Sequence, residues 1–239
     1  MTSSRSLGSS ILTTLSISGN QIADATPVSG LVNLRGVALD GTGINDLSML
    51  SRLKGLKILW CGENPVSDLS PLSELQELEL VWLWDCAVTD VSPLTWCRRL
   101  TCLGLGGNQI MDISPLSQLT SLRALGLSWN GLTDTSALSG LSQLGWLGLR
   151  GNRLRDLTQL PVLRTWDSRA DPYGLFAYDC DNPSLDLRNN LITDPSALLG
   201  KVQAGQWVAL DENPLDLSPG SPAIRGVEAL RSAGVSVCY

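Results

Sequence analysis

Eight tryptophans, six cysteines and a group of loop carboxylates are the residues of this 239-residue chain best suited to chemistry. The tryptophans gather around "LVWLWDCAV", Leu80 to Val88, where Trp82 and Trp84 flank a single leucine. What indoles offer is recognition: flat apolar faces and one N–H donor. The cysteines form no CxxC pair, which argues against a zinc or redox centre. Asp179-Cys180-Asp181-Asn182, with Asp167 and Asp171 nearby, could gather oxygens around calcium. The D-x-[DN]-x-[DN]-G spacing of an EF-hand loop is absent, and solvated carboxylates are the expected reading. "GLGGN" at Gly104–Asn108 has the glycines of a phosphate loop, but no helix with Lys-Ser/Thr follows it. Histidine is absent altogether. That removes the usual general base and the commonest metal ligand. No catalytic residue, metal or cofactor is expected.

The formal charge of −6 disfavours nucleic acid, which calls for a basic surface. No run of eighteen apolar residues is present, so no transmembrane segment is expected. The first ten residues contain one arginine and no apolar h-region, unlike a secretory signal peptide.

The elements that must position these residues follow a period of 22. Leu12, Leu34, Leu56, Leu78, Leu100, Leu122 and Leu144 recur without a gap. Three residues after each comes another aliphatic side chain, and five after comes an apolar one: Ile17, Leu39, Cys61, Leu83, Leu105, Leu127 and Leu149. Eight after comes Asn20, Thr42, Asn64, Cys86, Asn108, Asn130 and Asn152. The apolar step of two is that of a short strand with alternate residues inward. The asparagine column falls in the following turn, where an amide can satisfy backbone groups left unpaired by the bend. A unit this small cannot bury its own apolar side, so neighbours must stack into one continuous core.

The pattern LxxLxLxxNx(L/I) resembles the leucine-rich repeat. With its tails "DLSPL" from Asp68, "DVSPL" from Asp90 and "DISPL" from Asp112, it is similar to the 22-residue internalin subclass. Phosphatase-regulatory proteins of the Sds22 type share that repeat length. The resemblance implies an α/β leucine-rich-repeat solenoid: a curved right-handed coil with a parallel sheet on the concave face and short 3-10 or irregular turns on the convex side. The expected division is an N-terminal tail or truncated cap at 1–11, seven repeats at 12–165, an insertion loop at 166–181, two further repeats at 182–215 and a helical cap at 216–239. No cap comparable to the C-terminal one precedes Ile11, so an N-terminal part of the natural protein is expected to be missing.

Within that frame Cys61, Cys86 and Cys97 take inward positions and read as buried free thiols, whereas Cys102 faces out from its strand. Cys180 and Cys238 fall in irregular segments and could pair. Asp24, Asp46, Asp68, Asp90, Asp112, Asp134, Asp156 and Asp194 stand just before the turns, where a carboxylate can cap free N–H groups. Setting those eight aside from the 23 acidic residues leaves 15 against 17 basic ones. The low isoelectric point therefore reflects the repeat. Ser221-Pro222 reads as a helix start, Gly234 as its stop, and Val235–Val237 as a last short strand.

Residues between the inward leucines face the concave side. Six tryptophans fall there: Trp60, Trp82, Trp84, Trp129, Trp146 and Trp207. Beside them lie Gly104, Gly106, Gly126 and Gly148, and strand glycine often marks a close approach to the backbone. At about 4.8 Å per strand step, Trp82 to Trp146 spans roughly 15 Å. This reads as a shallow aromatic-walled pocket with Asp85, Arg150 and Arg188 as polar contacts. The competing expectation is that the indoles only stack along the sheet and shelter its glycines. Tyr173, Phe176 and Tyr178, three of the four Phe and Tyr side chains, fall in the insertion, which reads either as a lid over the Trp146 end or as a loop packed only on its own repeat.

Exposed aromatic clusters mark interfaces, so a non-enzymatic protein-binding module is the expected function. A carbohydrate-binding module using the same groove, with Asp186 among its polar contacts, is the alternative, as is an intracellular phosphatase-regulator-like scaffold. The internalin resemblance implies an extracellular or cell-surface location; free cysteines fit a cytoplasmic one.

Overall fold

The computed structural model describes residues 12–165 and 184–239. Ten parallel strands make one sheet in strict sequence order. They are β1 (Thr14–Ser16), β2 (Gly36–Ala38), β3 (Ile58–Trp60), β4 (Leu80–Trp82), β5 (Cys102–Gly104), β6 (Ala124–Gly126), β7 (Trp146–Gly148), β8 (Leu185–Asp186), β9 (Trp207–Ala209) and β10 (Ser236–Cys238). The register follows the period. Leu15 pairs with Val37, Val37 with Leu59 and Leu59 with Val81, and so on to Leu147. Leu147 then pairs with Leu185, so the longer step between β7 and β8 leaves the sheet continuous.

The central residue of each strand points into the solenoid, where it meets the leucines of the turns. Leu59, Leu78, Val81, Leu83, Leu100 and Leu105 are all completely buried in one long core. Parallel strands need a crossover between them; from β1 to β7 and from β8 to β9 it is a 3-10 turn, and only before β10 an α-helix. Ser70–Glu74, Ser92–Trp96 and Ser114–Gln118 each carry proline in the first turn. Proline's fixed φ and absent N–H suit that position.

Each expected aspartate caps its turn: the carboxylate two residues earlier accepts the Ser or Thr N–H at 2.7–2.9 Å. Asp216, 22 residues after Asp194, does the same for Ser218, a ninth instance. The asparagines act as expected too. Asn108 donates to the carbonyls of Leu83, Leu105 and Gly106 and accepts the Val88 N–H at 2.9 Å. One amide thus ties two successive coils. Where the column changes, Cys86 reaches the Cys61 carbonyl at 3.4 Å, while the Thr42 hydroxyl donates to Leu39 at 2.6 Å.

The last coil is closed by α1 (Pro222–Ser232). Ser221 caps it by accepting the Ile224 N–H at 3.1 Å, and Ala223, Val227 and Leu230 face the core. Gly234, at φ +81°, turns the chain into β10. That strand starts one residue later than the alternation of Val235–Val237 predicts. No described helix is long and apolar enough to cross a membrane.

Candidate functional site

The concave face has a hydrophobic layer of its own. Leu80, Cys102 and Ala124 stand side by side in the register of β4, β5 and β6. All three point away from the main core, yet none is more than 3% exposed. Ile58, Trp60, Trp82 and Trp146 pack against them. Cys102 does face out of its strand as expected, but aromatic side chains close over it.

The glycines explain how the indoles lie so low. A β-carbon on Gly104 would stand 2.6–2.9 Å from three ring carbons of Trp82. One on Gly148 would come within 2.8 Å of Trp146, and on Gly126 within 3.5 Å of the same ring. Trp84 covers Gly62 and Trp129 covers Gly151 still more closely. The close approach that strand glycine signals is therefore made by the chain's own tryptophans. Gly104, Gly126 and Gly148 are buried, so the bare glycine floor expected between aromatic walls is instead a pavement of half-exposed rings.

A second row runs along the edge where the strands end. The residue four after each strand's central side chain has a left-handed backbone. Gly19, Gly41, Gly107 and Gly151 occupy it at φ +62° to +74°. In the other coils the same place holds Glu63, Asp85, Trp129, Asn189 and Glu212, at φ +50° to +61°. Outside glycine such angles are uncommon, and for a bulky aromatic they are an outlier. Trp129 is nonetheless 51% exposed. The Arg150 guanidinium lies 5.4 Å from its ring centroid and 3.5 Å from Glu212. Arg188 is engaged by Asp186 through two contacts, at 2.6 and 2.9 Å. Both are largely buried, so this pair stabilises the floor more than it offers free charges. Asp85 remains exposed, its carboxylate resting on Gly107. Trp207 stands apart on β9, 39% exposed.

Sequence reasoning missed the buried Leu80–Cys102–Ala124 layer and the left-handed column. The signal for the latter was present in the alternation of glycine with Glu63, Asp85 and Trp129 at one repeat position. Tyr173, Phe176, Tyr178, Cys180 and the carboxylates considered for calcium lie outside the described residues. Among those described, no group of three or more His, Cys, Asp or Glu is placed to hold a metal ion. Burial pushes the Cys61 and Cys97 thiols up to about 12, the opposite of nucleophile activation.

Comparison with known proteins agrees with the repeat architecture. A family model described as leucine-rich repeat matches residues 8–25 and 118–139. No curated protein matches the sequence. Among solved structures, internalin C2 of Listeria monocytogenes is 28% identical at a TM-score of 0.67, covering 85% of this chain and 80% of its own. An internalin F of the same species is 25% identical at 0.68, with 94% of this chain aligned to 66% of that one. A leucine-rich-repeat protein of Leptospira interrogans shares the fold at 24% identity and 0.68, over 90% of this chain and 51% of its own.

Proposed function

Since the chain is an internalin-like leucine-rich-repeat protein, we propose that it is a binding module that captures a protein partner on its concave face. Leucine-rich-repeat domains in general bind other proteins, and the aromatic pavement supplies this one with a surface for doing so. The observation that carries the reading is Trp129. It is a large, half-exposed ring in a backbone conformation that glycine would adopt with less strain. Tryptophan and arginine are frequent hot spots, and Arg150 lies over the Trp129 ring. The proposed contact surface comprises Trp60, Trp82, Trp84, Asp85, Trp129, Trp146, Arg150 and Trp207, without the covered Gly104, Gly126 and Gly148 and the Asp186-paired Arg188. Likeness to internalins supports a surface or secreted location.

A saccharide partner is the second reading, favoured by indoles lying flat over glycine, a geometry suited to the apolar face of a sugar ring. Parallel arrays of cell-surface proteins and glycans, probed with wild type and Trp129→Ala/Trp207→Ala, separate the two. Both residues are exposed enough for the variant to fold. Protein hits lost in the variant support the proposal. Glycan hits lost in it favour the saccharide. Hits retained in full remove Trp129, and with it the observation that carries the proposal.

A further inference from the structure

On the edge where the convex turns lead back into the strands, a groove of about 530 Å³ is lined by Glu79, Arg98, Arg99, Thr101, Thr120, Ser121, Arg123 and Gln143. It is open to solvent and distinct from the aromatic face, since its residues precede β4 to β7 rather than project from them. The charge within it is not cancelled locally. Arg99 pairs with Glu77, and the Glu79 carboxylate is taken by Lys57 at 2.6 Å. Arg98 and Arg123 are exposed and make no ion pair among the described residues. Two uncommitted guanidiniums thus face one groove in a protein of net charge −6.

The surrounding side chains define what such a pair would hold. Thr120 and Ser121 add hydroxyl donors and Gln143 an amide, whereas the Thr101 hydroxyl is given to the Glu79 carbonyl at 3.2 Å. A carboxylate has two oxygens and is satisfied by one guanidinium fork. Two forks with hydroxyls around them match a group with three or four acceptor oxygens. The volume exceeds that of a lone oxyanion, leaving room for the molecule that carries it.

We propose that this groove binds a tetrahedral oxyanion ester, a phosphate or sulfate group on a small polar molecule, with Arg98 and Arg123 as the two clamps.

The test is calorimetric titration at low ionic strength of the wild-type chain with inorganic phosphate, glucose 6-phosphate and a sulfated disaccharide. The same titrations are run on Arg98→Gln/Arg123→Gln and on Arg153→Gln, a control that removes one exposed charge elsewhere. Thermal melting confirms that all three proteins are folded. The proposal predicts saturable binding to wild type and the control, weakened about tenfold or more in the double variant, as expected for loss of charge-assisted hydrogen bonds. Which ester binds more tightly identifies the phosphate or sulfate source. Absence of saturable heat with every probe, or equal affinity in wild type and double variant, overturns it.

Discussion

The six-membered ring of Trp82 lies so close over Gly104 that a β-carbon there would stand 2.6 Å from it. Alanine at 104 therefore forces the indole to move. The ring is held by Leu80, Cys102 and Ala124 beneath it, so movement costs packing. Gly104→Ala is expected to destabilise by about 1–3 kcal/mol, the usual range for overpacking. Gly126→Ala, whose β-carbon would meet Trp146 at an ordinary 3.5 Å, should be near neutral. Denaturant titration of the two variants checks the contrast. Equal effects would mean that the indoles yield freely.

The asparagine column makes a second prediction. Asn108→Ala strips one acceptor from the Val88 N–H and one donor from three carbonyls, all in a buried turn. A loss of about 3 kcal/mol is expected, since buried polar groups are left unpaired. Cys86→Asn should act in the other direction. It restores to its coil the amide that every other coil but that of Thr42 uses, in place of a thiol reaching carbonyls at 3.4 and 3.6 Å. A gain of about 1 kcal/mol is expected, read as a shift in the denaturation midpoint at constant slope.

How far these features could be read beforehand depends on what generates the periodicity. The inward leucines, the Asn64 and Asn108 turns and the Asp46 and Asp112 caps each recur at a fixed spacing, because every coil solves the same packing problem. The concave face is different. Its residues differ from coil to coil, so the pattern says where Trp82 and Gly104 point but leaves open whether the indole walls a pocket or covers the glycine. That contact depends on the indole rotamer and on the neighbouring strand lacking a β-carbon. The groove of Arg98 and Arg123 was illegible for a related reason. Those residues come from successive coils, and only the register brings them together.

Acid should weaken the fold through the turn caps. The carboxyls of Asp46, Asp112 and Asp134 are held below their ordinary 3.8 by hydrogen bonds from Ser48, Ser114 and Ser136. A carboxylate with a lowered folded-state pKa contributes stability that is present above the unfolded value. It is lost as pH falls below 3.8 through the folded value. The melting temperature should therefore drop below about pH 4. In the triple variant Asp46→Asn/Asp112→Asn/Asp134→Asn the drop should be shallower, because an amide oxygen caps without titrating.

At the alkaline end the buried thiols govern. Cys61 and Cys97 are pushed from 9.0 to about 12 by burial, with Cys86 nearby adding to the rise at Cys61. The folded state holds these protons more tightly than the unfolded one, so their stabilisation is complete below pH 9 and is lost as pH rises from 9 towards 12. Native protein at pH 8 should react with a thiol reagent at the half-buried Cys86 well before Cys61 or Cys97. Mass spectrometry of the labelled peptides reads the order, and simultaneous labelling of all three would contradict the burial.

Trp129 offers the sharpest separation of stability from binding. At φ +56° its backbone costs about 1–2 kcal/mol relative to glycine. Its stacking with Arg150 at 5.4 Å returns about 0.5–1 kcal/mol at an exposed site. Trp129→Gly removes both, so stability should stay level or rise slightly. A tryptophan kept only to shelter Gly151 would behave otherwise: its removal would expose backbone and lower the melting temperature. Binding should move in the opposite sense, since loss of an aromatic hot spot weakens an interface by about tenfold or more. A variant as stable as wild type that no longer captures its array partner would place Trp129 in the interface. A destabilised variant with intact capture would return it to the sheet.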